Sequence, residues 1–434
     1  MKEPTARELS LDILLSVTNG QVYSHIALRD VLDKYAYFEK GKRSLIKRLV
    51  EGVLENMLLL DEIIGQFSSV PVKKQKVVIR NLLRMAVYEI FYMDGIPAHA
   101  SVNEAVKLAE RRGFRNLKGF VNGVLRSIER NRENVQLPDS LSIRYSMPEW
   151  IVDRWTEAYG KAKTEELLQS FFGGRPLTVH LAKQLPDDPA SQASRAEAAV
   201  AAWKAEGVRA TPVETLSDAF FLSGIERLPA MQTFRDGLFF VQDLSSMKAL
   251  SEIPIQPGMQ VLDLCGAPGG KSLFLAGRIG DEGSATCRDL TDAKVSMIRE
   301  NVERCHLLNM HAEISDARIF DPAWESRADL VIADLPCSGL GVLSRKPEIR
   351  YRITPQDITA LAALQREILS VAVRYVKPGG MLFYSTCTIT REENEDNASW
   401  LLSTFPAFTR LKEQQLFPEA GLQDAFYYLL AQRR

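Results

Sequence analysis

Two of the five cysteines stand in polar, turn-forming surroundings, where a thiol could react. Cys337 lies in the stretch DLPCSG, and Cys387 lies in the stretch STCT. Each stretch follows a short apolar run that is typical of a buried strand. A free cysteine is most often a small buried hydrophobe, which is the simpler interpretation of Cys287 and Cys305. Cys337 and Cys387 are therefore the candidate nucleophiles.

A cysteine thiolate suits a particular reaction of cytosine. Carbon 5 of this base is not nucleophilic enough to attack a methyl sulfonium, but addition of a thiolate at carbon 6 turns the ring into an enamine, whose carbon 5 can attack. The carbon-5 proton must then leave so that the thiol is expelled. Besides the nucleophile, a group must stabilise the ring at N3 and the amino group, and Asp334 suits that role if it is protonated or shares a proton with N3. A helix N-terminus or a lysine beside the thiol would lower its pKa.

A glycine-rich stretch, VLDLCGAPGGKS, begins in another predicted strand and opens a predicted helix. Glycine lets the backbone approach a ligand closely, and a helix N-terminus favours negative groups. A phosphate loop of the type GxxxxGK(S/T) would need its first glycine at the position of Cys265. The dinucleotide fingerprint GxGxxG fails because Pro268 occupies its third position. The third interpretation is an S-adenosylmethionine loop, whose glycine backbone faces the methionine part of the cofactor.

Acidic residues follow the next two predicted strands. Asp289 stands 23 residues after Gly266, behind a strand predicted at 284–287, and Asp316 follows a strand predicted near 312–314. Ligands of doubly wound sheets bind outside the carboxyl ends of the strands, and an acid about 20 residues past the loop is placed to bind ribose hydroxyls. One acid at a strand end is usually a helix cap. Acids at successive strand ends favour a cofactor site.

The N-terminal part of the chain has apolar residues at helical spacing. Leu9, Ile13 and Val17 form such a row, and similar rows recur to about residue 135. Ser101 is a predicted helix N-cap, because Glu104 follows it by three residues. These features predict an all-helical bundle.

Two further domains follow a short polar linker. Strand and helix patterns mix up to about residue 240, with strands predicted at 177–181 and 219–222, which indicates a small α+β module. After it, short apolar runs alternate with helices predicted to start near 269, 291, 354 and 392, which indicates a Rossmann-like, doubly wound α/β sheet. The predicted domains are 1–138 (all-helical), 139–236 (small α+β module) and 237–434 (α/β).

Composition narrows the class of protein. Apolar residues make up 46% of the 434 residues, which suits packed cores and excludes a disordered chain. The formal net charge of −1 confines any polyanion-binding surface to a local patch. One such patch is 71–132, with 13 Lys and Arg against 5 Asp and Glu. It is either a solvated helical surface or a phosphate-binding face, and charge alone does not decide.

The cysteines and the N-terminus indicate the compartment. The cysteine count is odd and no CxxC spacing occurs, so we expect reduced thiols and no zinc or other metal site. The N-terminus lacks the features of a signal peptide, and no apolar run is long enough to span a bilayer. We expect a cytoplasmic protein, a monomer, without membrane contact.

In combination, these stretches resemble the RNA cytosine-C5 methyltransferases, most closely the branch that acts on small-subunit (16S) ribosomal RNA. The resemblance covers nearly the whole chain. In the second half it is carried by VQDLSS (241–246), LCGAPGGK (264–271), DLPCSG (334–339) and STCT (385–388). In the first half, IPAHA (96–100) and FVNGVLR (120–126) resemble the NusB-like helical domain of this branch.

The resemblance implies an activity, a cofactor and a partner. The activity is S-adenosylmethionine-dependent methylation of cytosine carbon 5 in 16S ribosomal RNA, free or in an early small-subunit particle. Cys387 would attack carbon 6 and Cys337 would assist release, an assignment that the spacing alone does not provide. The helical bundle and the middle module would bind RNA. The implied cofactor contacts are Cys265, Gly266, Ala267, Pro268, Gly269, Gly270, Lys271, Asp289, Asp316 and Asp334.

Two departures from the family's pattern concern the cofactor site. Gly266 stands where alanine is commoner, a change that we expect to be harmless. Arg288 precedes Asp289 where the family usually has an apolar residue, and could alter cofactor affinity.

Three other functions compete with this interpretation. A non-catalytic RNA-binding or assembly factor on the same scaffold is disfavoured by the intact Cys337 and Cys387. A related enzyme acting on transfer RNA is disfavoured by the NusB-like part, though only through the resemblance. An amino-group methyltransferase is disfavoured because no aromatic residue follows Pro336 to hold a flipped base.

Overall fold

The structure is a computed structural model that describes residues 3–182 and 189–434. The chain forms two compact units, Met1–Phe172 with Leu343–Arg352, and Gly173–Val342 with Ile353–Arg434. The predicted domain bounds at 138 and 236 stay predictions. Within the described residues, no helix is both long and apolar enough to cross a lipid bilayer.

The first unit is helical, as the apolar periodicity predicts. Its core is one continuous cluster of buried side chains, among them Leu14, Leu49 and Leu83, which are fully buried. The helices are α1 (Ala6–Thr18), α2 (Ser24–Lys34), α3 (Lys40–Glu55), α4 (Met57–Phe67), α5 (Val77–Tyr92), α6 (Ala98–Arg111), α7 (Lys118–Arg130), α8 (Leu141–Arg144), α9 (Glu149–Tyr159) and α10 (Lys161–Ser170).

Two helices of this unit, α1 and α6, begin in different ways. α1 has a capping box, in which the Thr5 hydroxyl accepts from the backbone N–H of Glu8 at 3.2 Å and the Thr5 N–H donates to the Glu8 carboxylate at 2.7 Å. The cap predicted at Ser101 is wrong. α6 begins at Ala98, directly after Pro97, and Ser101 is buried inside the helix. Proline suits such a start because its φ is already close to the helical value.

A segment from the second half of the chain completes the first unit. In the segment Leu343–Arg352, the Glu348 carboxylate accepts hydrogen bonds from the backbone N–H and the hydroxyl of Ser24, at 2.8 Å each. Arg350 is fully buried and donates to the carbonyl of Tyr145 at 3.3 Å. The unit therefore depends on residues far apart in the sequence.

The second unit contains a small antiparallel sheet, with strand order β2-β3-β1-β4. Its core includes the Trp203 ring, which packs edge-on against Phe220 and Phe239. The predicted strands at 177–181 and 219–222 are confirmed, whereas β2 and β4 were not predicted. The elements are β1 (Leu177–Leu181), α11 (Pro189–Ala205), β2 (Arg209–Pro212), β3 (Ala219–Ser223), α12 (Gln232–Arg235) and β4 (Phe239–Val241).

A seven-stranded sheet with order β10-β11-β9-β8-β5-β6-β7 dominates the second unit. β5 to β9 run parallel, and β11 is antiparallel to both of its neighbours. The strands are β5 (Gln260–Asp263), β6 (Ser284–Asp289), β7 (Met310–Ile314), β8 (Ala328–Asp334), β9 (Val376–Thr386), β10 (Phe408–Leu416) and β11 (Phe426–Arg433). The helices are α13 (Leu244–Ser251), α14 (Gly270–Ile279), α15 (Asp292–Arg304), α17 (Pro355–Tyr375) and α18 (Glu395–Thr404), and the intervening α16 (Ile349–Arg352) belongs to the first unit.

This sheet confirms the predicted Rossmann-like class. The helix starts predicted near 269, 291 and 354 lie within one residue of the observed starts, because Thr291 and Thr354 are N-caps. The start predicted near Glu392 is wrong by three residues, since α18 begins at Glu395. β10 and β11 were not predicted.

We expect Gly52→Ala to destabilise the first unit. A Cβ at Gly52, in α3, would overlap the ring of Tyr88, which is itself largely buried. Overpacking of this kind costs about 1–3 kcal/mol. The measurement is the free energy of unfolding in urea, followed by circular dichroism.

The matched control is Gly65→Ala in α4, where a Cβ meets no atom within 4 Å. This control should stabilise the helix by roughly 0.5–1 kcal/mol, because alanine has the higher helix propensity. Equal effects of the two substitutions would contradict the packing of Tyr88 on Gly52.

Candidate active site

Four strand ends meet at one edge of the large sheet. β8, β5 and β6 are adjacent and parallel, and end at Asp334, Asp263 and Asp289. β9 lies beside β8 and leads directly into Cys387. The expectation that these residues lie at one edge is therefore correct.

The glycine-rich loop follows β5 and is held by the end of β6. The backbone N–H of Gly266 donates to the carbonyl of Arg288 at 2.8 Å, and the N–H of Ala267 donates to the Asp289 carboxylate at 3.1 Å. Gly269 has a φ of 108°, a left-handed conformation that favours glycine, and α14 begins at the next residue. The same Asp289 carboxylate accepts from the Lys294 ammonium at 2.9 Å.

Gly266 packs directly on two buried side chains. A Cβ at this position would overlap the Cys287 sulfur and would lie 2.6 Å from Oδ2 of Asp263. Burial raises the pKa of Asp263 to about 7, and its Oδ2 accepts a hydrogen bond from the Ser272 hydroxyl at 2.7 Å. That glycine is harmless here stays a prediction, and it agrees with the packing, because in this chain Cys287 fills the space that an alanine side chain would need.

Lys271 and Asp334 form an ion pair across the strand ends. The Lys271 ammonium lies 2.6 Å from Oδ2 of Asp334, and the Ser385 hydroxyl donates to Oδ1 of Asp334 at 2.7 Å. The ammonium also lies 5.4 Å from the ring centroid of Phe426. Burial alone would lower the pKa of Lys271, but the carboxylate of Asp334 outweighs burial and the pKa is raised. Lys271 is therefore a fixed positive charge.

The two candidate nucleophiles are in contact. The Sγ atoms of Cys337 and Cys387 lie 3.3 Å apart, and both residues are half-buried. The contact with Cys387, together with burial, raises the pKa of the Cys337 thiol. Cys287 and Cys305, by contrast, are buried, as expected for cysteines that pack as small hydrophobes.

The glycine loop, Lys271, Asp334 and Cys387 line one cleft of about 670 Å³ that is open to solvent. The cleft brings most of the predicted site together, although five predicted site residues are not among its lining residues: Cys265, Gly269, Asp289, Asp316 and Cys337. It also has lining residues that were not predicted as site residues: Val241, Gln242, Asp243, Ser245, Ser246, Val342, Asp424, Ala425 and Phe426. Five of these were in the stretch VQDLSS, which carried the family resemblance and could have indicated them.

Two charged residues on or just after strands β6 and β7, Arg288 and Asp316, form ion pairs with neighbouring side chains. Asp316 lies two residues past β7, and a hydrogen bond from Arg318 lowers its pKa to about 2. The Arg288 guanidinium pairs with Glu313 and with Asp321, at 2.8 Å each. Arg288 is therefore neutralised by two carboxylates of its own surroundings, although it precedes Asp289 in the sequence.

Known proteins match both parts of the chain. The NusB family model matches residues 4–130, and the model described as 16S rRNA methyltransferase RsmB/F matches residues 252–430. A Bacillus subtilis (strain 168) protein named probable ribosomal RNA small subunit methyltransferase B is 35% identical over 419 residues, which are 94% of this chain and 90% of that protein.

Solved structures share the fold. The crystal structure of PH0851 covers 100% of both chains at 24% identity, with a TM-score of 0.82. A methyltransferase homolog protein from Pyrococcus horikoshii covers 69% of this chain and 100% of its own at 23% identity, with a TM-score of 0.57.

The sheet order and the glycine loop after β5 define a Rossmann-like methyltransferase domain, which this chain carries together with a helical NusB domain. Within that class, the chain belongs to the ribosomal RNA small subunit methyltransferase B family.

We expect Gly266→Ala to destabilise the second unit. The new Cβ would collide with Cys287 and crowd Asp263, so the loop would have to shift at a cost of about 1–3 kcal/mol. The measurement is the free energy of unfolding in urea. The double variant Gly266→Ala with Cys287→Ala should recover part of the loss, because it removes the colliding sulfur. A single variant as stable as the wild type would contradict the packing described for Gly266.

Proposed function

We propose that this protein transfers a methyl group from S-adenosylmethionine to carbon 5 of a cytosine in 16S ribosomal RNA, through a covalent bond between Cys387 and carbon 6 of the base. The observation that carries the proposal is the contact of two thiols, 3.3 Å apart, where one of them lines a cleft with Lys271, Asp334 and the glycine loop. Nucleophile, ring-stabilising group and cofactor loop are thus within one site.

The residues around the glycine loop fit S-adenosylmethionine. The cleft lies beside the glycine loop, and its lining combines the loop backbone with the polar side chains of Gln242, Asp243 and Ser246. The backbone at Gly266 and Gly270 would hold the methionine part, and Asp289, fixed at the loop by Ala267, would bind the ribose hydroxyls. Asp316 would supply a further polar contact. When bound, the cofactor supplies an electrophilic methyl group on a sulfonium sulfur.

Cys387 would act as the attacking thiol. Lys271 is the neighbouring positive charge, and a nearby cation favours the thiolate over the thiol. The thiolate forms a bond to carbon 6 of the cytosine, and the ring becomes an enamine. Carbon 5 then takes the methyl group and displaces the neutral thioether of the cofactor. A base removes the carbon-5 proton, the bond between the Cys387 sulfur and carbon 6 breaks with release of the thiolate, and the double bond between carbons 5 and 6 is restored.

Asp334 and Cys337 would serve the two remaining steps. Asp334 holds Lys271 and Ser385, so its carboxyl group has a fixed orientation for N3 and the amino group of the base. Cys337, in contact with Cys387, would assist release of the product. Because attack and release use different thiols, losing one should not have the same effect as losing the other.

Ribosomal RNA of the small subunit is the substrate that the relatives' names support. The charge distribution of the first unit is consistent with a phosphate contact. Several basic residues are neutralised by ion pairs, such as Arg84 with Asp61. Lys73, Lys74 and Lys76, just before α5, are exposed, and we assign the phosphate contact to them.

One prediction of the proposed function concerns the reaction and the substrate. Labelled S-adenosylmethionine and 16S ribosomal RNA, taken from a strain that lacks this gene, should give one new 5-methylcytosine, which bisulfite sequencing locates. Transfer to bulk transfer RNA instead would assign the protein to a transfer-RNA branch. Cofactor binding without transfer to either RNA would favour an assembly factor.

Another prediction distinguishes the roles of the two thiols. Cys387→Ala should abolish methylation but retain cofactor binding, because the glycine loop is unchanged. Cys337→Ala should allow attack and methyl transfer but slow release, so that a covalent protein–RNA adduct accumulates on a denaturing gel. Full activity of the Cys387 variant would show that the nucleophile is another residue.

A further inference from the structure

A buried carboxylate lies behind the two cysteine loops. Glu393, six residues past Cys387, is fully buried. Its Oε1 accepts from the backbone N–H of Ser338 at 2.8 Å, and its Oε2 accepts from the Ser338 hydroxyl at 2.5 Å. Ser338 is the residue after Cys337. One carboxylate from the segment after Cys387 therefore holds the loop that carries Cys337 through two hydrogen bonds.

Ser338 also connects the two loops directly. Its hydroxyl lies 2.7 Å from the Thr388 hydroxyl, and Thr388 is the residue after Cys387. Ser338, Thr388 and Glu393 are all buried. Each reactive cysteine is thus followed by a hydroxyl residue, and the two hydroxyls meet beside the same carboxylate.

Four hydrogen-bond donors surround the carboxylate of Glu393. Besides the two groups of Ser338, the Thr390 hydroxyl donates to Oε2 at 2.5 Å, and the Gln365 amide donates to Oε1 at 3.2 Å. An ionised carboxylate only accepts hydrogen bonds, and two oxygens can accept all four donors. A glutamine has the same shape, but it replaces charge-assisted hydrogen bonds with neutral ones, because its amide oxygen accepts from the N–H donors and its amide nitrogen must donate to the two hydroxyls. Burying a charge is costly unless several donors meet it, so the four bonds hold this carboxylate in place.

The loop that carries Cys387 has a second support. The amide nitrogen of Asn394 donates to the carbonyl of Thr388 at 3.1 Å, and the Thr386 hydroxyl donates to the amide oxygen of Asn394 at 2.5 Å. The loop that carries Cys337 bonds Glu393 directly through both groups of Ser338, and its other support is the Gln365 amide, which donates to the carbonyl of Pro336 at 2.9 Å. Loss of Glu393 should therefore displace Cys337 more than Cys387.

We infer that Glu393 is a positioning residue, which holds the Cys337 thiol against the Cys387 thiol through Ser338 and so couples release of the product to methyl transfer. The inference rests on the proposed function for the roles of the two thiols. The contact between the thiols, however, can be measured without any RNA.

The test variant is Glu393→Gln, and the matched control is Asp396→Asn. Asp396 lies on the same segment, is partly exposed and pairs with Arg391, so its substitution also removes one negative charge but touches neither cysteine loop. Both variants are made in the full chain. Thermal unfolding and S-adenosylmethionine binding show whether each variant is folded.

The first measurement is the rate at which diamide links Cys337 to Cys387. Diamide takes two electrons and two protons from the two thiols and becomes the hydrazine, and mass spectrometry of peptides identifies the disulfide. Glu393→Gln should slow this rate about tenfold, because losing a charge-assisted hydrogen bond typically costs more than the 1.4 kcal/mol that a factor of ten represents. Asp396→Asn should react like the wild type.

The second measurement is the ratio of covalent protein–RNA adduct to released methylated RNA. Glu393→Gln should raise this ratio about tenfold, because attack by Cys387 continues while release is slow. A purely structural defect lowers the active fraction and leaves the ratio unchanged. An unchanged ratio and an unchanged linking rate in a folded Glu393→Gln variant would overturn the inference.

Two further outcomes have a defined meaning. If Glu393→Gln does not fold, Ser338→Ala replaces it, because this change removes only the hydroxyl that joins Glu393 to Thr388. A wild-type linking rate in that variant would overturn the inference. If the wild type forms no adduct through Cys387, the proposed function fails, whereas slower linking in Glu393→Gln would still show that Glu393 positions the thiols.

Discussion

The ion pair between Lys271 and Asp334 connects two elements of the large sheet's ligand-facing edge that are far apart in the sequence. Lys271 is the second residue of α14, which follows the glycine loop, and Asp334 ends strand β8, beside β5. Because Ser385 from β9 donates to the same carboxylate, three adjacent strand ends are fixed together. The glycine loop and the two cysteine loops follow these strand ends, so this contact adds to the strand pairing that fixes their relative positions.

Three acids at the site, Asp263, Glu393 and Asp334, differ in their surroundings. Asp263 lies under the glycine loop, and burial raises its pKa to about 7, so it is neutral or charged near physiological pH at little cost. Burial raises the pKa of Glu393, although the four donors that meet its carboxylate oppose this shift. Asp334 is paired with a fixed cation. The environment of each acid, rather than its type, therefore sets its protonation and its partners.

Patterns that depend on a few neighbouring residues could be predicted from the sequence. Apolar runs located the parallel strands, and the residues around Cys337 and Cys387 placed both thiols at one edge. β10 escaped prediction because Phe408–Leu416 is largely polar and pairs with a strand only through the folded sheet. β11, in contrast, is a largely apolar and buried run that the sequence analysis missed. The space that Cys287 takes beside Gly266, the acids around Arg288 and the bonds of Glu393 are contacts across the fold. No local pattern encodes them.

The segment Leu343–Arg352 has a consequence for how the chain is made. Ser24 and Glu348, which bond each other within the first unit, are 324 residues apart. At a synthesis rate of about 5–20 residues per second, roughly 16–65 s separate the appearance of Ser24 from that of Glu348. During this time the helices of the first unit leave the ribosome without the residues that complete their packing. The first unit is therefore completed late, after strands β5 to β8 of the large sheet have been synthesised.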